Sequence, residues 1–168
     1  MFSYNSSHWT SKVPYRKSVL GQKNEIKVPG YWLRNFTKIC VTMEFPSNTS
    51  KNATSMLFNY AAASLYSALH SAVNKTWTVD LSAITTPTDI DERCLVQGFN
   101  LTEPHPWMIK SRIGVASQPR NGCTLPYLVR GVGIGFHGPQ EISCGELIIR
   151  KSNAPVEVSP AFCRVYIQ

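Results

Sequence analysis

Charge is scarce in this chain, and negative charge scarcest. Charged residues make up 16% of 168 positions, and 17 Lys and Arg against 10 Asp and Glu leave a formal net charge of +7. No run approaches the ~18 consecutive apolar residues that a spanning helix needs. The opening stretch MFSYNSSHWTSKVPYRKSVL has no apolar core of signal-peptide type. Membrane attachment is therefore expected only through a segment absent here, with Met1 read as an added start.

Chemical signatures are equally sparse. The four histidines, His8, His70, His105 and His137, are dispersed, with no HExxH, HxH or GxSxG pattern. There is no CxxC and no His beside a Cys pair, so no zinc site is expected. The acids Asp89, Asp91 and Glu92 cluster, but without further regular oxygen ligands they read as a solvated turn rather than a calcium loop. No metal, no cofactor and no catalytic residues are expected, and the chain does not read as an enzyme. Without GKS or GKT, GVGIGFHG over Gly131–Gly138 is not a P-loop. Its Gly133, Gly135 and Gly138 match GxGxxG, but Pro139 follows at once and no helix opens there. It reads instead as a strand with a bare backbone face, against which an aromatic ring, another strand or a ligand must lie.

What is abundant is the glycosylation triplet. Six of the ten asparagines, Asn5, Asn35, Asn48, Asn52, Asn74 and Asn100, head Asn-x-Ser/Thr without an intervening proline, the acceptor for N-linked sugar. Ser and Thr fill about a sixth of the chain, so chance predicts one or two such triplets. The excess points to an extracellular glycoprotein. All six lie at or before residue 100, which leaves the final 68 residues without an acceptor. Those strands either form the core or face a partner that a glycan would block.

Five cysteines, Cys40, Cys94, Cys123, Cys144 and Cys163, should pair in an oxidising compartment, and the odd count leaves one over. Two bridges are expected. The fifth thiol is then free or joined to a partner chain.

The organisation expected is a basic extended arm over residues 1–24 and a single β-rich domain over 25–168. Ile39, Val41, Met43 and Phe45 alternate with polar residues, a half-buried strand that turns Cys40 away from the apolar face. Leu57, Ala61, Leu65, Ala68, Leu69 and Ala72 repeat at three and four residues, which predicts one long amphipathic helix over about 53–73. Asn121-Gly122 predicts a hairpin turn. The fold class expected is thus α+β and β-rich, a mostly antiparallel sheet or sandwich with that helix packed on it.

The basic stretch around Lys12, Arg16, Lys17 and Lys23, interleaved with Tyr4, Trp9 and Tyr15, is a candidate surface for an anionic ligand. Outside the cell the relevant polyanions are sulfated sugars, sialic acids and acidic headgroups, so nucleic acid is not an expected partner. The function expected is an attachment or recognition ectodomain of a viral or host surface glycoprotein, binding a protein or glycan receptor. The alternative is a secreted hydrolase or lipid carrier.

Overall fold

A computed structural model of the chain describes residues 2–17, 25–46, 53–71, 75–77, 94–102, 109–117, 128–150 and 156–168. Asn48, Asn52, Asn74, Lys23, Cys123, His105, the acids at 89–92 and the Asn121-Gly122 turn lie outside the described residues.

The described chain is mostly antiparallel β-sheet. A 3-10 turn at Ser7–Trp9 precedes a strand pair, β1 (Tyr15–Lys17) and β2 (Glu25–Lys27), and a one-turn helix α1 (Gly30–Leu33). Strands β3 (Phe36–Glu44) and β4 (Thr54–Ala62) follow, then a short helix α2 (Leu65–Ser71). Next come β5 (Lys75–Trp77), β6 (Leu95–Thr102), β7 (Lys110–Ser117), β8 (Leu128–His137), β9 (Ile142–Arg150), β10 (Glu157–Pro160) and β11 (Phe162–Ile167).

Strands β5 to β10 form a six-stranded sheet in sequential order, an up-and-down meander in which each strand pairs with the one before it. The last strand leaves that sheet. The chain crosses at Ala161, whose N–H still donates to Cys144 O at 3.1 Å, and β11 then pairs with β3 in a three-stranded sheet ordered β11-β3-β4. The Cys144–Cys163 disulfide ties β9 to β11 beside this crossing. A bridge closing a loop of this size contributes about 3 kcal/mol by restricting the unfolded chain.

The two sheets share one core. Ile39, Val41 and Met43 of β3 and Met56 and Phe58 of β4 pack in the same cluster as Phe99, Ile113, Val115, Val132 and Ile134 of the meander. The β3 alternation is read out directly: Ile39, Val41 and Met43 are fully buried, while Cys40, Thr42 and Glu44 are only half-buried. The opposite face of the meander carries its own buried cluster, including Val129, Phe136, Leu147 and Ile149.

The long helix over 53–73 does not form, and the α+β description built on it is corrected. Residues Thr54–Ala62 are strand β4, paired along its length with β3. Met56 and Phe58 are buried, and Leu57, which belonged to the apolar face of the expected helix, is 56% exposed. The segment carries both a period near 3.6 and a period of two, and pairing with β3 selects the second. Burying two large side chains while completing a ladder outweighs the tenths of a kcal/mol per residue by which alanine favours a helix. Among the described residues of the stretch, only Leu65–Ser71 is helical. Its start is set by Ser64, whose Oγ accepts from Ser67 N while Ser67 Oγ accepts from Ser64 N, both at 3.0 Å, a reciprocal cap.

The glycine-rich stretch is β8, and it is covered by side chains as its bare face requires. A Cβ on Gly131 would stand 2.7 Å from Phe136 Cε1, so that ring occupies the space a side chain would need. Gly133 has φ +147°, and a Cβ there would run into Ile113 O of the neighbouring strand. Gly133→Ala combines a strained backbone with an unrelievable backbone clash. We expect it to cost about 3 kcal/mol or more, a fall of roughly 10 °C in melting temperature, read by thermal denaturation.

Candidate functional site

The N-terminal residues are held against the sandwich by side chains that reach their backbone. Lys27 Nζ donates to His8 O and Ser11 O at 2.6 and 2.7 Å, Tyr31 Oη donates to Trp9 O at 2.8 Å, and Arg112 Nε donates to Tyr4 O at 2.8 Å. Trp9 is 5% exposed, belongs to the shared core, and donates from Nε1 to Ser3 O at 2.7 Å. Gly135, at φ +68°, makes room for it: a Cβ there would meet Arg112 Cγ at 2.8 Å and Trp9 Cζ2 at 3.0 Å. Phe2 packs edge-on against this tryptophan and also meets His8 and Tyr15, whose rings are 3.9 Å apart.

Between this segment and the sandwich lies a cleft of about 690 Å³, within the ~300–1,000 Å³ typical of ligand sites. Phe2, Trp9 and Tyr31 line it from the N-terminal side, Ile134 and Cys144 from the meander, and Cys163, Val165 and Ile167 from β11, the two cysteines joined as a disulfide. Ile26 and Val28, 52% and 58% exposed, also line it, an apolar surface left in water.

Four charged residues line the cleft: Lys27, Arg34 and Arg164 against Glu25. Lys27 is 5% exposed, and burial pushes its ammonium below the usual lysine range; the carbonyls of His8 and Ser11 and the Tyr31 ring, 5.4 Å away, stand in for water. Arg164 pairs with Glu44. Burial opposes ionisation of Glu25, but the hydrogen bonds it accepts from Ser143 Oγ and Phe2 N help hold its carboxyl below the ordinary range. A carboxylate so stabilised is a weak base, which counts against Ser143–Glu25 as a nucleophile–base pair. Burial pushes the Tyr31 hydroxyl up, and burial together with nearby positive charge pushes the His8 imidazole down.

No protein-family model, curated protein or solved structure matches the chain. Its chemistry must therefore be read from these residues alone.

Of the described residues singled out by sequence, Trp9, Cys144 and Cys163 line the cleft, while the basic and glycosylation candidates lie outside it. Lys12, Arg16 and Lys17 are exposed, and Lys12 Nζ stands 4.9 Å over the Tyr66 ring, itself stacked on His70 at 4.0 Å. Asn5 and Asn35 are exposed. Asn100 is half-buried with φ +49°; its Nδ2 donates to Leu69 O at 2.6 Å and its Oδ1 accepts from Arg112 Nη1 at 2.8 Å. Cys94 is disulfide-bonded, and Cys40 is a free thiol. Cys40 sits on the outer face of the three-stranded sheet, paired across the strands with Tyr166 and Leu57, which are 52% and 56% exposed.

The sequence marks none of Lys27, Glu25, Ser143, Ile26 and Val28 as a site residue. A lone apolar pair on a broken strand and a lysine among several carry no motif. Only the fold brings them to one cleft. One further charged pair, Arg130 with Glu146, is buried on the core-facing side of the meander, and burial pushes Arg130 down to about 10, still protonated at neutral pH.

Two outcomes follow. A maleimide reagent should label one thiol of the native chain, and Cys40→Ser should abolish that labelling; labelling that survives the substitution places the free thiol elsewhere. Glu25 has a folded pKa below its unfolded one, so its stabilisation is present above about pH 5 and is lost as pH falls through the folded value. The melting-temperature gap between wild type and Glu25→Gln should therefore be widest near neutral pH and close towards pH 3.

Proposed function

We propose that the chain is an extracellular recognition domain, the binding part of a viral or host surface glycoprotein, that engages a protein or glycan receptor. The observation that carries this reading is the open apolar cleft between the N-terminal segment and the sandwich. Exposed apolar side chains in one patch mark interaction surfaces, and here they border a hollow with three cations and one acid. The glycosylation triplets and the disulfide support an oxidising, extracellular setting. Cys40, free and flanked by Tyr166 and Leu57, is the point at which a disulfide-linked partner chain would attach.

A lipid carrier is the second reading, favoured by one observation: the cleft lining is mostly apolar with few converging polar groups. Native mass spectrometry of the secreted protein separates the two. A co-purified lipid supports the carrier, and an empty cleft supports recognition.

The glycoprotein premise has its own check. Material secreted from animal cells should run well above 18.8 kDa and collapse on glycosidase treatment. Peptide mapping should find sugar on Asn5 and Asn35 and least on Asn100, whose amide is committed to Leu69 and Arg112. Unchanged mobility rejects the premise.

A further inference from the structure

We propose that the cleft receives an extended peptide segment of the receptor, which adds as a strand to the outer edge of β11. This rests on the recognition reading above and names the chemistry of its ligand.

The register shows which backbone groups are available. Gln168 and Lys38 exchange both backbone hydrogen bonds, each at 3.0 Å. In an antiparallel ladder such pairs recur every second residue, so Tyr166, Arg164 and Phe162 also turn their backbone toward β3. The N–H and C=O groups of Ile167, Val165 and Cys163 then point away from it. Among the described residues no strand pairs with that edge. All three residues line the cleft, so the open edge forms one of its walls.

The other edge of the same sheet is treated differently. The outward carbonyl of Leu57 on β4 accepts from Gln97 Nε2 of the meander at 3.2 Å, so the sandwich closes on itself there. On the β11 side, among the described residues, a row of donors and acceptors beside apolar surface remains.

That row decides the occupant. An acyl chain would cover the apolar lining but leave the donors and acceptors of Val165 and Ile167 desolvated without partners. A peptide strand satisfies both, with main-chain bonds to β11 and alternate side chains against Ile26, Val28 and the cleft floor. Charge sets its composition. The lining carries three cations to one acid; Glu25, Lys27 and Arg164 are already engaged, and among the described residues the Arg34 guanidinium has no acid partner. The segment that fits has apolar residues at alternate positions and an acidic residue where it passes Arg34.

The test is selection of a phage library of random peptides of about 12 residues, roughly twice a typical strand, on the full chain. A selected peptide is then made synthetically and measured by fluorescence anisotropy and amide hydrogen exchange. The expected result is enrichment of alternating apolar sequences with an acid, slowed exchange at Cys163, Val165 and Ile167, and loss of binding on Arg34→Glu. Val165→Pro removes an outward N–H without touching the β3 ladder, as proline permits on an edge. It should weaken binding roughly tenfold or more, whereas Val165→Ala, which loses the same packing against the core but keeps the N–H, should weaken it far less. If Val165→Pro unfolds the chain, the exchange data on wild type decide alone. A peptide that binds and is lost on Ile26→Asp, but leaves exchange along β11 unchanged, overturns strand addition and keeps the cleft as a recognition site. No enrichment, or tight uptake of a dansylated fatty acid into the cleft in place of any peptide, overturns both.

Discussion

Ile39, Val41 and Met43 must be kept dry, and the arrangement of the domain follows from that. They sit on the central strand of a three-stranded sheet and are fully buried against a six-stranded one. Each contributes roughly 1.5–3 kcal/mol by its removal from water. A three-stranded layer is too narrow to cover a six-stranded one, so other elements must close its flanks. On the β4 side α2 and Gln97 do so. On the β11 side the N-terminal segment approaches, anchored by Trp9 in the core, and among the described residues the closure is incomplete. The cleft is the remaining gap.

The means by which the N-terminal segment is held explain why the gap persists. Its carbonyls are satisfied by the side chains of Lys27, Tyr31 and Arg112 rather than by a strand ladder. Side-chain anchors fix a segment at points, whereas a ladder would bring its whole length against the sheet. The segment is thus docked beside β11 without sealing it. Lys27 is the most committed anchor, buried and paid for by two carbonyls and a ring rather than by an acid.

Some features were legible from residue order. The alternation across Ile39–Phe45 marks a half-buried strand because a period of two admits no other regular structure. The glycines at 131, 133 and 135 mark a bare face because a missing Cβ leaves room that a packed interior fills, here with Phe136, Trp9 and Arg112. The stretch at 53–73 shows where such reading fails. Leu57, Ala61 and Leu65 fit a helix, and Met56, Phe58 and Tyr60 fit a strand. Only the presence of β3 alongside decides between them.

The residue order by itself determined what each short segment could become: which strands carry an apolar face, where a side chain is excluded, which asparagines can accept sugar, and that an odd number of cysteines leaves one unpaired in an oxidising compartment. Those are local properties, written in neighbours two to four positions apart. The tertiary structure alone decided that β11 crosses to the smaller sheet, that Cys40 is the free thiol, that Asn100 is clamped by Leu69 and Arg112, and that Lys27, Ile26 and Val28 meet β11 across one cleft. Each of these joins residues far apart in the chain, and the energy that joins them comes from burial and pairing with partners that no local pattern names.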